Sequence, residues 1–319
     1  MRTRELSRWM KQLGVLTPHQ RDQLLCGLQA LTATDAVAEV LRQRESPSAC
    51  PSCQGQHLVR NGQAHGLQRF KCRRCGVTFN GLTGTPLARL RHREKWLQQA
   101  QVMEEGLSVR KAAARMGVHR TTAFRWRHRF LTVPREVKDQ HLTGVVEADE
   151  AYFLRSYKGQ PRRLRAEQSR QPRPRGGHAA KRGLSDEQVP VWVARNRASQ
   201  TTDVLLTAAN KRGLLAVLPD VMSADAVLCT DGSAMLAAAA RALGMEHHGL
   251  NTLRGERRRG AWHIQNVNAY HSRLKGWLAR FKGVATSYLT NYLGWFRALD
   301  RNARSGATAA SLLALAIAA

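Results

Sequence analysis

The sequence predicts an α/β unit preceded by two smaller modules, a metal-stapled ribbon and an all-helical pair. Three observations carry that prediction. From Gly144 onward, strand-like runs alternate with helical patterns, the signature of a sheet covered by helices. Ahead of that region lie two Cys-x₂-Cys pairs, Cys50 with Cys53 and Cys72 with Cys75. Between them, Leu107 to Phe130 reads as two helices broken at Met116-Gly117. The expected segments are 1–45 (helical), 46–82 (ribbon), 83–135 (helical pair), 140–302 (α/β) and an Ala-rich tail, 303–319.

In the first segment, Leu24, Leu28 and Leu31 fall at helical spacing, and two helices are expected, with no visible function. In the ribbon, each close cysteine pair lets two thiolates of one turn take adjacent corners of a tetrahedron, and the other pair closes the cage. A unit this small cannot hold a core without metal. One structural Zn²⁺ on Cys50, Cys53, Cys72 and Cys75 is therefore expected, closed and not catalytic. Val59, Phe70 and Phe79 would supply its hydrophobic cover, and Lys71, Arg73 and Arg74 crowd the second knuckle. Cys26 and Cys229 sit in apolar contexts and read as buried thiols.

The helical pair has the grammar of a helix-turn-helix. Ser108 can cap the first helix, and Ala112, Ala113 and Met116 make its inner face. Gly117 allows the turn and Val118 plugs the junction. The second helix starts at Thr121 or Thr122 and carries Phe124 and Trp126 among Arg125, Arg127 and Arg129. In such a motif the start of the second helix reaches base edges while flanking basic residues hold phosphates. Thr121, Thr122 and Arg125 are the base-facing candidates, and Arg127 and Arg129 complete the DNA-binding set. An ordinary helical hairpin with a solvated basic face is the alternative; the density of arginine favours DNA.

Thr132 to Gln140 reads as a linker. Expected strands in the α/β unit are Gly144–Phe153, Val189–Ala194, Val204–Leu206 and Ala226–Thr230, with helices at Ser233–Leu243 and Val267–Phe281. The polar, basic stretch Arg155–Gly183 is either a solvated loop or one that grips nucleic acid. In the first strand, GVVEADEAYF, alternation puts Glu147 and Asp149 on one face and Glu150 on the other. Two carboxylates on one face of a basic protein invite a divalent cation. Asp231 follows the last strand, where open sheets hold ligands, although a helix cap explains it equally well. Along NVNAYHSRLKGWL, Val267, Tyr270, Leu274, Trp277 and Phe281 form an apolar stripe, with Asn268, His271, Ser272 and Lys275 beside it.

Charge narrows the partners. The chain has 319 residues, 51 Lys+Arg against 23 Asp+Glu, and a formal charge of +28. Such an excess gathers polyanions, with nucleic acid foremost. Anionic membrane is the rival, but no apolar run reaches the ~18 residues a spanning helix needs. The tail from Ala307 to Ala319 is too short for that and is expected as a surface helix or a frayed end. No apolar N-terminal stretch resembles a signal peptide, so the expected location is the cytoplasm, on the nucleoid when DNA is bound.

Taken in order, EADEAYF, CTDGSA and NVNAYHSRLKGWL resemble the catalytic region of DDE-type insertion-sequence transposases, nearest the insertion sequence fifteen-ninety-five family. The resemblance covers roughly Ser46 to Arg301 and includes the order of units, zinc ribbon first. It implies an RNase H-like catalytic domain with a mixed sheet flanked by helices. It also implies that Asp149 and Asp231 are the two aspartates, Asn268 stands where most relatives carry Glu, and Lys275 is the basic residue seven places on. Two Mg²⁺ (or Mn²⁺) ions would sit on Asp149, Asp231 and Asn268, with Glu147 and His271 as accessory groups. The implied activity is cleavage of element ends and their joining to target double-stranded DNA, by a homo-oligomer on the DNA. A non-catalytic DNA-binding derivative is the alternative that Asn268 keeps open.

Overall fold

A computed structural model describes residues 3–21, 24, 47–160, 177, 179–181, 185–206, 210–251, 254–305 and 309–317. Most of the segment expected to hold two N-terminal helices, with Cys26, lies outside the described residues, as does the middle of the basic stretch, 161–176. The chain divides into two compact units: Met1–Phe130 with Asn302–Ala319, and Leu131–Arg301.

The first unit begins with α1 (Thr3–Gln12). A three-stranded antiparallel ribbon follows: β1 (Leu58–Ala64), β2 (Leu67–Cys72) and β3 (Thr78–Asn80). Phe70 and Phe79 are buried with Cys50 and Cys72, and their rings lie 5.9 Å apart. Leu58, rather than the expected Val59, packs on this cluster, because the register sets Leu58 opposite Cys72.

Next come α2 (Trp96–Glu104), α3 (Val109–Met116) and α4 (Arg120–Phe130). Ser108 caps α3 by accepting from the Lys111 amide, and Gly117 ends it in the left-handed conformation. Val102, Ala112, Ala113, Met116, Ala123 and Trp126 form the shared core, with Leu107 and Val118 packed against it. The second unit contains α5 (Thr132–Glu136) and a five-stranded mixed sheet.

Sheet order is β6-β5-β4-β7-β8. The strands are β4 (Val145–Leu154), β5 (Gln188–Asn196), β6 (Thr201–Leu205), β7 (Val227–Thr230) and β8 (His247–Gly249). The first three form an antiparallel meander, whereas β7 pairs parallel to β4 and β8 parallel to β7. Period-two alternation divides β4 between two faces. Val146 and Ala148 join Trp192, Leu228, Leu236 and Ala240 in a core that includes α6 (Lys211–Leu215), α7 (Leu218–Val221) and α8 (Ala234–Ala242). The opposite face carries α9 (Gln265–Ala279) and α10 (Leu289–Ser305). Between those helices, Tyr270, Trp277, Phe281, Tyr292, Trp295 and Phe296 make a continuous aromatic cluster.

Arg297 is the buried pin of this face. It pairs with Asp203 on β6 and donates to the carbonyls of Pro134, Arg135 and Val137. Gly294, one turn earlier, is needed because a Cβ there would come within 2.4 Å of the Arg135 Cα.

The Ala-rich tail differs from the expectation. It returns to the first unit as α11 (Ala309–Ile317), packed on α2, with Leu312, Leu313, Ala316 and Ile317 buried. The spacing 309, 312, 313, 316, 317 is that of an apolar helix stripe, so the tail is a core element. No helix among the described residues is long and apolar enough to cross a membrane.

Candidate functional site

Two regions carry the chemistry, a cluster of four cysteine sulfurs and a pair of aspartates. The sulfur site is built by two matching turns. In each, the amide four residues after the first cysteine returns to its carbonyl: Gln54 to Cys50 and Gly76 to Cys72, both at 2.9 Å. Gln54 and Gly76 both take positive φ, which turns the chain back toward the cage. The four sulfurs lie within 4.8 Å of one another, with Cys50–Cys75 at 3.7 Å and Cys53–Cys72 at 3.6 Å. An ion with tetrahedral Zn–S bonds of about 2.3 Å holds its sulfurs about 3.8 Å apart, so the cluster fits zinc. The Cys75 and Arg74 amides donate to the Cys72 sulfur and lower its thiol to about 7.

The helix-turn-helix residues separate into two groups. Thr121 and Arg125 are exposed and Thr122 is partly so, on the first turns of α4. Arg127 corrects the expectation: it is 1% exposed and donates to the Leu107 carbonyl at 2.6 Å. It braces the α2–α3 turn and does not face solvent. Arg129 is exposed, yet its guanidinium grips the carbonyls of Pro86 and Ala88, so it also holds the segment before α2. The run of arginines could not disclose this, since on a helix every other residue changes side.

The acidic residues lie where β7 ends beside the middle of β4. The parallel register of these strands pairs Glu147 with Cys229; two steps further along both strands stand Asp149 and Asp231. The Asp231 carboxyl is held above the ordinary carboxylate range, first by burial and then by the charge of Asp149. Its Oδ1 accepts from the Ser233 amide at 3.0 Å, so Asp231 also shapes the turn into α8. Gly232 in that turn has φ +84, and the Leu250 carbonyl sits 2.9 Å from where a Cβ would stand.

From the α9 side, buried His271 brings Nδ1 to 3.6 Å from Asp149 Oδ2. Asn268 and Lys275 lie one turn either side of His271 on the exposed side of α9. Glu150 points to the other face of β4. Burial first, then Asp149 and Asp231, push its carboxyl up to about 7. Its Oε1 is buried and has no hydrogen-bond partner among the described residues. Asp149 and Asp231 thus stand as carboxylates within electrostatic reach of one another, with the charge of each also felt by Glu150.

Glu147 is a correction. It was expected as an accessory group at the cation site, but it is 0% exposed and fully engaged elsewhere. Its Oε2 accepts from the Asn266 and Val267 amides at 2.7 and 3.0 Å. Its Oε1 accepts from Asn266 Nδ2 at 2.9 Å and Arg197 Nη1 at 2.7 Å. The carboxylate therefore holds the N-terminus of α9, where unpaired amides favour negative charge. Arg197, Asn266 and His263 were not singled out from the sequence; they meet Glu147 only through the fold. Cys229 is buried as expected, its thiol pushed up to about 11 by burial.

Comparisons with known proteins point to a transposase. Residues 141–297 match the family model of the ISXO2-like transposase domain, and residues 88–133 match that of a homeodomain-like domain. A relative described as an uncharacterized protein in transposable element ISH50, from Halobacterium salinarum, is 27% identical over 252 residues. That match spans 78% of this chain and 83% of the relative.

Proposed function

We propose, from the premise that residues 141–297 are an ISXO2-like transposase domain of the insertion sequence fifteen-ninety-five family, that this chain cuts the ends of an insertion sequence and joins them to target DNA. The single observation that carries the reading is the convergence of Asp149 and Asp231 beside the helix bearing Asn268 and Lys275. The sheet order, three antiparallel strands followed by two parallel ones, supports an RNase H-like domain.

Asp149 and Asp231 hold two divalent ions, Mg²⁺ or Mn²⁺, with the Asn268 amide oxygen as a neutral third donor. Bound there, the ions supply electrophilic activation of the phosphodiester and of the attacking hydroxyl. His271 orients the Asp149 carboxylate, and Lys275 pairs with a DNA phosphate. Thr121, Thr122 and Arg125 read the element ends, and zinc on the four cysteines keeps the ribbon folded. Two ends must be joined, so the acting species is at least a dimer on DNA. The location in a transposable element of the relative supports the same reading.

A strand-transfer assay tests it, using labelled duplex with the element's end sequence, Mg²⁺ or Mn²⁺, and Asp231→Ala as control. Joined products from the native chain alone are expected. Specific binding without joining would favour the second reading, a transposase-derived DNA-binding protein, for which the uncharged Asn268 is the supporting observation.

A further inference from the structure

Between β8 and α9 the chain makes a short excursion that none of the roles above uses. Arg258–Arg259 (β9) and Trp262–His263 (β10) form a two-stranded hairpin, with Arg257, Arg258 and Arg259 all exposed. Two-residue strands are marginal alone, so what anchors them matters. Trp262 stacks on His248 of β8, with ring centroids 3.9 Å apart and planes within 8°. At its Gly260–Ala261 turn, Arg197 donates to the Ala261 carbonyl at 3.0 Å while its other terminal nitrogen pairs with buried Glu147. His263 also approaches Glu147, at 3.3 Å. One buried carboxylate thus fixes both the hairpin and the start of α9.

Placement gives the hairpin its meaning. β8 pairs with β7 up to Gly249–Thr230, and the Leu250 amide bonds the Thr230 carbonyl at 3.0 Å. The excursion therefore leaves the sheet at the same end as Asp231 and returns directly into the helix carrying Asn268. Arg259 is neutralised by a two-point pair with Glu256, at 2.7 and 2.8 Å. Arg257 and Arg258 carry exposed positive charge on the segment between that sheet end and α9, and Arg258 Nε donates to the Gly260 carbonyl at 2.6 Å.

We propose that the β9–β10 hairpin is a phosphate clamp, with Arg257 and Arg258 binding the DNA backbone next to the phosphodiester held at Asp149 and Asp231. The inference rests on the transposase reading for its ligand. The contact is independent of sequence, because exposed arginine charge meets phosphates without reading bases. Its rigid tie through Arg197 and Glu147 sets the spacing between the clamped phosphate and the acidic site.

The test uses the full-length, zinc-loaded chain and a duplex carrying the element end with its flank. Binding is followed by fluorescence anisotropy across a salt series, and phosphate contacts are mapped by ethylation interference. For R257A/R258A the slope of log K against log[salt] should fall by about 2, near 0.9 per lost contact. Interference at phosphates flanking the cleavage junction should vanish, while that inside the end sequence persists. R257K/R258K should keep the native slope. An unchanged slope and unchanged junction contacts in R257A/R258A overturn the clamp. If native protein binds but never joins strands, the transposase reading fails while the clamp is still judged by these contacts. If native protein binds with no salt dependence, both fall.

Discussion

The sulfur cage and the acidic site arrange their donor groups in opposite ways. In the cage, two matching turns bring four sulfurs to tetrahedral separation, and amides donate to Cys72 before any ion is considered. In the acidic site, burial and then the charge of Asp149 raise the proton affinity of Glu150 and Asp231, and Asn268 and Lys275 are exposed on α9. A closed donor set favours a permanent structural ion. An incomplete one leaves room for water and a phosphate oxygen. The same strand contains both conditions in miniature: Glu147 is fully buried, and Asp149, two residues on, keeps 20% of its side chain exposed.

Four perturbations sharpen this contrast, beginning with the largest. Chelating the zinc, or Cys72→Ser, should remove on the order of 10 kcal/mol of coupled binding and folding energy. Metal content by mass spectrometry should drop from one zinc per chain to none, with loss of specific DNA binding. Glu147→Ala leaves Arg197 without its buried partner and frees the α9 N-terminus. It should cost about 3–5 kcal/mol in a denaturant titration. Asn268→Ala should slow strand joining about 10- to 100-fold at fixed Mg²⁺, while Asn268→Glu should lower the Mg²⁺ concentration needed. Smallest of all, Asp231→Asn removes the repulsion with Asp149. In EDTA it should raise Tm by a few degrees or less, an advantage that saturating Mg²⁺ should erase.

The sequence disclosed local order better than meeting points. Cysteine spacing identified the cage, because two ligands per turn is a local property. The alternation in GVVEADEAYF placed β4 within a residue of where it lies, and Ser108 and Gly117 marked both ends of α3. Partnerships made by the fold stayed hidden. Glu147 looks like Asp149 in sequence, and only the entry of α9 behind it separates an anchor from a ligand. Arg127 looks like Arg125, yet one faces the helix core. The Ala-rich tail carried the correct stripe, but its burial depends on a groove on α2 that no local pattern reveals. The β9–β10 hairpin escaped notice because two-residue strands lack a readable period.

One measurement bears most directly on the division of labour between the two sites. Purified chain with one zinc bound would be freed of other divalent ions, then Mg²⁺ added stepwise while DNA joining and zinc content are followed together, for native protein and Asp149→Asn. The account predicts joining only in native protein, saturating with Mg²⁺, at a constant zinc content of about one per chain. Joining without added Mg²⁺, or joining that survives in Asp149→Asn, would contradict it.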